Sequence, residues 1–244
     1  MARRVSPPGS IGRLRGERPG SRDNGSVQRS CLGRPLLSAV LAAFAAAPVA
    51  LAHGGETPDV PPDLGNLLLT WSFDPLIWLP AIAAALAWRI AVGNVNAAHP
   101  ANPVPARRTR AWYAGIAVLL FALDGGVERY DTTLFSVHMV QHLLLTMVAA
   151  PLLVYAGPIT LLLRVSDPET RSRWILPVLH SRVVRALAFP VVAWVVFAAV
   201  MWASHFSPLF DAALEDELWH RFEHALFLGS ALLFWWPVVG PDPS

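Results

Sequence analysis

Residues 134–163 read LFSVHMVQHLLLTMVAAPLLVYAGPITLLL, thirty positions without one Asp, Glu, Lys or Arg. A helix on the surface of a soluble protein of that length carries a charged face. About 20 apolar residues are enough to cross the hydrocarbon core of a bilayer. The stretch therefore predicts a transmembrane helix, with Pro151 and the Gly157-Pro158 pair expected to kink and end it. Similar apolar segments lie at 75–92, 111–123, 186–204 and 218–239. The first opens on Asp74-Pro75, a capping residue followed by one suited to a first helical turn. The expected fold is all-α, a polytopic transmembrane helical bundle of about five spans.

Composition agrees. Of 244 residues, 54% are hydrophobic and 15% charged, with a mean hydropathy of +0.44. Soluble domains carry about 25% charged residues. The net charge of +2 is small, and no Arg/Lys-rich helix has a groove-reading pattern, so nucleic acid is set aside as a partner. Cys31 is the single cysteine, which excludes an internal disulfide framework and a thiolate metal cage.

The N-terminus has the parts of a signal peptide. Residues 1–35 are polar and arginine-rich, an apolar run spans 36–49, and Ala50-Leu51-Ala52 forms an A-x-A site. The alternative is a retained first helix. The charged region is long for a leader, and a start at Val27 would give an ordinary one. The division expected is 1–52 for the polar N-terminus and leader, 53–70 for an external tail, and 71–244 for the helical domain. Cleavage after Ala52 would make His53 the new N-terminus, whose amine and ring nitrogen together could collect copper.

Basic residues set the orientation. Arg107, Arg108 and Arg110 follow the first span, and Arg164, Arg171, Arg173, Arg182 and Arg185 follow the third. Those loops are expected in the cytoplasm, and the mature N-terminus outside. Trp71, Trp88, Trp112, Trp174, Trp202, Trp219, Trp235 and Trp236 read as aromatic belts near helix ends. The outer loops carry Asp124, Glu128, Asp131, Asp211, Glu215, Asp216 and Glu217, read as solvated surface, or else as a weak cation funnel.

This topology brings five histidines to the outer ends of their helices. His138 and His142 open the third span, His205 closes the fourth, and His220 and His224 open the fifth. Residues at i and i+4 share a helical face, so two imidazoles so placed can converge on one ion. Imidazole suits copper, zinc, iron and nickel. Met139 and Met201 are either soft thioether ligands or packing residues. Glu217-x-x-His220 is half of a di-iron carboxylate motif, which needs two copies. His99 and His180 fall in inner loops and read as surface residues.

Three stretches resemble the CtaG family of cytochrome c oxidase assembly factors, the group tied to caa3-type oxidases. They are Phe73-Asp74-Pro75; His138-Met-Val-Gln-His142 with Ala150-Pro151-Leu152-Leu153 and Gly157-Pro158; and Trp202-Ala-Ser-His205 with Pro208-Leu-Phe-Asp211, His220, Glu223-His224 and Phe234-Trp235-Trp236-Pro237. The resemblance covers about residues 70–240. It implies a multi-pass protein of the bacterial inner membrane that matures a haem–copper oxidase by copper supply to its catalytic subunit. It implies no enzyme activity, and it makes His138, His142, His205, His220 and His224 the metal residues. Members of that family continue through about two more spans, so the chain is expected to be shortened at its C-terminus. The rival reading is a membrane metal- or haem-dependent oxidoreductase using the same histidines.

Overall fold

The computed structural model describes residues 63–131, 134–208, 212–213 and 216–241. The leader, Cys31 and His53 lie outside the described residues. The described chain is all-helical, with no strand and one isolated bridge between Trp71 and Gly125.

Helix α1 (Leu64–Leu69) is capped by Asp63. Helix α2 (Pro75–Ala98) starts where the Asp74 carboxylate accepts the Leu76 N–H and Pro75 occupies the first turn. Then come α3 (Ala106–Asp124), α4 (Gly126–Asp131) and α5 (Phe135–Leu143). A π-helical segment, Leu144–Ala149, joins α5 to α6 (Ala150–Ala156), and Gly157 turns the chain into α7 (Pro158–Val165). Short turns over Pro168–Thr170, Arg171–Ile175, Leu176–Leu179 and Arg182–Leu187 lead to α8 (Pro190–Phe206). The last helix is α9 (Glu217–Val239). Among the described residues, three stretches are long and apolar enough to cross a bilayer: Pro75–Ala98, Phe135–Val165 and Glu217–Val239. Helix α8 is apolar but shorter, at 17 residues.

The long uncharged stretch breaks differently from the sequence expectation. Its widened turn comes before Pro151, which lacks the N–H an α-helical bond to residue 147 requires. The wide turn has a consequence for packing. Buried positions recur every four residues, at 138, 142, 146, 150 and 154. Along a pure α-helix such a stripe drifts by about 40° per step, since each residue turns about 100°. A π-turn winds more slowly and pulls the stripe back toward the core. Gly157 takes φ 75°, a left-handed conformation that glycine adopts without penalty, and this separates α6 from α7.

Helix α3 packs on α6 and the π segment, and α9 packs on the π segment, α6 and α8. Helix α2 lies against α3 and α7, while α4 folds onto α5 and α3. Gly115 permits the α3–α6 approach, because a Cβ there would come within 2.8 Å of the Leu153 side chain.

Connectivity gives the bundle two ends. At one, Trp88, Val95, Ala156 and Leu161 form an apolar core flanked by Trp112. Trp88 and Trp112 stack with centroids 4.6 Å apart, and Trp88 donates to Thr109 Oγ1 at 3.3 Å. Trp88 is thus a core residue, not part of a belt. Arg107, Arg108 and Arg110 sit at this end, in the first turns of α3. At the other end meet the start of α2, the end of α3, all of α4, and the first turns of α5 and α9. Burial is inverted relative to a soluble protein. Leu79, Ile82, Leu86 and Ile90 form an exposed stripe on α2, and Val191, Trp194, Val195, Trp202 and Phe206 are exposed on α8. His138, Gln141, His142, Thr146, His220, Glu223, His224 and Ser230 are buried.

Candidate metal centre

Helices α5 and α9 each enter the second end by their first turns, and each carries two histidines at i and i+4. The four rings form a quadrilateral. Centroids are 4.2 Å apart for His138 and His142, and 4.3 Å for His220 and His224. Across the helices, His138 lies 5.7 Å from His220, and His142 lies 5.7 Å from His224. All four are buried. His142 Nε2 and His138 Nε2 approach to 2.7 Å. Phe227 floors the group, 4.1 Å from the His142 ring.

His205 stands beside this quadrilateral. Its ring is 6.2 Å from His142, and its Nδ1 lies 2.8 Å from the Met201 carbonyl oxygen, which accepts its proton. That bond aims the remaining ring nitrogen away from its own helix. His99 and His180 are exposed at the far end, as expected.

Carboxylates complete the site, and the sequence reading had missed them. His220 Nε2 lies 2.6 Å from Asp131 Oδ2. Glu128, one helical turn before Asp131, accepts a hydrogen bond from Gln141 Nε2, which also donates to the Ala122 carbonyl at 2.8 Å. Burial first, then the neighbouring Asp131 carboxylate, push the Glu128 carboxyl up to about 8, against lowering by His220, Gln141 and Arg221. Glu223 is fully buried, and neither of its oxygens has a hydrogen-bond partner among the described residues. The ligand atoms fall into two sets, each within 4.8 Å of one another: Glu128, Asp131, His220 and His224, and His138, His142 and Glu223. His205 belongs to neither set.

Three residues read as solvated loop are therefore interior. Asp124 and Asp131 are 1% and 2% exposed, and Glu128 is half-buried. The reason is tertiary: α4 folds back over α5 and closes the end of the bundle. Asp124 is structural. It accepts the backbone N–H groups of Phe73 and Asp74 at 2.9 and 2.8 Å, and Trp78 Nε1–H at 2.7 Å. It thereby holds Phe73 at φ 57°, a strained value for a non-glycine residue. Glu217 pairs with Arg221, which also binds Asp74 at 2.7 Å, so Glu217 serves the helix junction and not a di-iron motif.

Residues 82–244 match the family described as cytochrome c oxidase caa3 assembly factor. The chain belongs to this family. The match takes in the π segment, α4 and every histidine of the quadrilateral. An uncharacterized protein of Mycobacterium bovis is 36% identical over 197 residues, and one of Mycobacterium tuberculosis is equally similar. A third, from Mycobacterium leprae, is 33% identical over 198 residues. Each alignment covers 78% of this chain and 29% of the relative, so the chain spans less than a third of the length of these relatives. No solved structure matches the chain.

The caa3 family membership and the geometry bear on the same residues. The donor atoms are imidazole nitrogens and carboxylate oxygens, without thiolate. Such a set accepts first-row cations and holds them less tightly than a cysteine cage.

Proposed function

We propose that this chain is a multi-pass protein of the bacterial inner membrane that helps build a caa3-type cytochrome c oxidase by passing copper to its catalytic haem–copper subunit. The observation that carries this reading is the convergence of four buried imidazoles from two helices at one end of the bundle. Copper is cargo here. A site of imidazoles and carboxylates binds it and lets it exchange, as delivery requires. The part played by the protein is transfer, with no turnover of its own.

The inverted burial supports the membrane setting, since apolar helix faces of this size are costly in water. With α3 and α8 also spanning, the chain crosses five times. The arginine-rich end faces the cytoplasm, and the histidine end and the mature N-terminus face outward. Reporter fusions at Asn102, Arg171 and Asp211 test this. Activity of an external-only reporter at Arg171 overturns it.

The role is tested in a host that depends on the matching oxidase. His138→Ala combined with His142→Ala should reduce assembled oxidase and its copper content on the order of tenfold, with this protein still inserted. Undiminished oxidase overturns the reading. The buried carboxylates Glu128, Asp131 and Glu223 favour one rival, a metal-dependent oxidoreductase. Catalytic oxygen uptake by the purified, metal-loaded protein without any oxidase present would favour that rival.

A further inference from the structure

The donor set is larger than one ion can use. Seven residues offer ligand atoms at this end of the bundle: four histidines, Glu128, Asp131 and Glu223. A first-row ion such as zinc takes about four ligands at about 2.0–2.2 Å from nitrogen and oxygen. Donors to a common ion then lie within roughly 4 Å of each other. The donor atoms themselves gather into two sets, each within 4.8 Å of one another: Glu128, Asp131, His220 and His224 form one, and His138, His142 and Glu223 the other.

The polar contacts divide in the same way. Each set contains one short contact between two potential ligands: His138 Nε2 with His142 Nε2 at 2.7 Å, and His220 Nε2 with Asp131 Oδ2 at 2.6 Å. Each such pair shares a proton. A cation that displaces the proton meets two donors already brought together. Glu223 lies between His220 and His224 in sequence, yet its carboxylate falls with His138 and His142. Both of its oxygens lack a hydrogen-bond partner among the described residues. His224 Nε2 and His220 Nδ1 are likewise buried without one. Buried carboxylates call for a cation. The arginine of this segment, Arg221, is engaged by Glu217 and Asp74.

We infer that this end of the bundle is built for two metal ions side by side. One position is nitrogen-rich, formed by His138, His142 and Glu223, and takes copper. The other is carboxylate-rich, formed by Glu128, Asp131, His220 and His224, and takes a harder divalent ion of the zinc, iron or manganese kind. Glu223, carried by α9 and directed to the α5 histidines, ties the two positions together. The inference rests on the proposal that the cluster binds metal, and goes beyond it in number, ligand set and ion class.

The test uses the full chain, purified in detergent, with His53, His99 and His180 all replaced by Ala, so that His205 is the one histidine left outside the two sets. The protein is stripped with chelator, equilibrated with copper(II) as a probe for both positions, and desalted. Metal analysis should find two ions per chain. Electron paramagnetic resonance should show a half-field signal from two spins in close proximity. One ion per chain with an isolated spectrum overturns the pair and leaves a single-site reading standing. No bound ion overturns both. Asp131→Asn keeps the shape and a hydrogen-bond acceptor while removing the charge. It should drop one ion and abolish the half-field signal, leaving an isolated copper with nitrogen ligands. Two coupled ions in Asp131→Asn also overturn the assignment. The count on the parent protein, with Asp131 intact, stands whether or not that variant folds.

Discussion

The two ends of the bundle bury their side chains in opposite ways. At the arginine end, Trp88, Val95, Ala156 and Leu161 pack in apolar contact, and Trp88 has both a stacking partner and a hydrogen bond. At the histidine end, the interior is imidazole and carboxylate, and several buried polar atoms have no partner among the described residues. The first end follows the rule that interiors are apolar or satisfied. The second violates it at the positions where ligand atoms converge. The apolar core and the candidate site thus lie at different ends of the same helices, and substitutions of a packed core ring and of an unpartnered site carboxylate should behave in opposite ways.

The largest effect belongs to the apolar end. Trp88→Ala removes a ring that is 3% exposed and deserts the Trp112 face, so unfolding in detergent should lose about 3–5 kcal/mol. Ions bound per folded chain should not change. A drop in metal content alongside full folding would break the division between the ends. Asp124→Ala comes next, at about 2–3 kcal/mol, because three N–H donors lose their acceptor. Phe73 should then relax out of its positive-φ conformation. Proteolysis near Phe73 ought to rise well before global unfolding does. Unchanged protection there would show that the turn is held by something other than Asp124.

These contrasts also explain what the sequence could reveal. The helices were legible because apolar runs of spanning length sit between prolines, glycines and arginines. Their ends were less so. Helix α2 continues to Ala98 past the expected residue 92, through a polar stretch in which Asn96 Oδ1 accepts the Val104 N–H at 2.7 Å. That bond belongs to the folded loop and leaves no local trace. The histidines were legible by their spacing of four on two helices. The carboxylates were not, for two reasons. Helix α4 has six residues, too few to show a period, and its charges resemble those of any loop. Glu223 was within the quoted motif, but a glutamate between two histidines looks like the solvated face of a helix until α5 is placed beside it. The Glu128-x-x-Asp131 spacing, which puts both groups on one side of a turn, was the available signal. The π segment could be found only by noticing that buried positions keep a strict interval of four.

The smallest effect should have the opposite sign, and Glu223→Gln isolates it. Glu223 is fully buried with both oxygens unpartnered among the described residues, which penalises its charged form. Glutamine has the same shape and no charge. Without metal, the variant should therefore be more stable than wild type, by about 1 kcal/mol, as when other buried ionic groups are neutralised. At the apolar end, truncating a packed core side chain costs stability, so a gain on neutralising Glu223 points to a residue kept for another purpose. Metal reverses the order. An ion that binds the folded state at 100 times its Kd adds about 2.7 kcal/mol, and the variant loses most of this if its affinity falls. Thermal unfolding of both proteins, with chelator and with saturating copper, should thus give curves that change places. If Glu223→Gln is the less stable protein under both conditions, Glu223 is a structural residue, and the opposition between the two ends fails at the position where it should be sharpest.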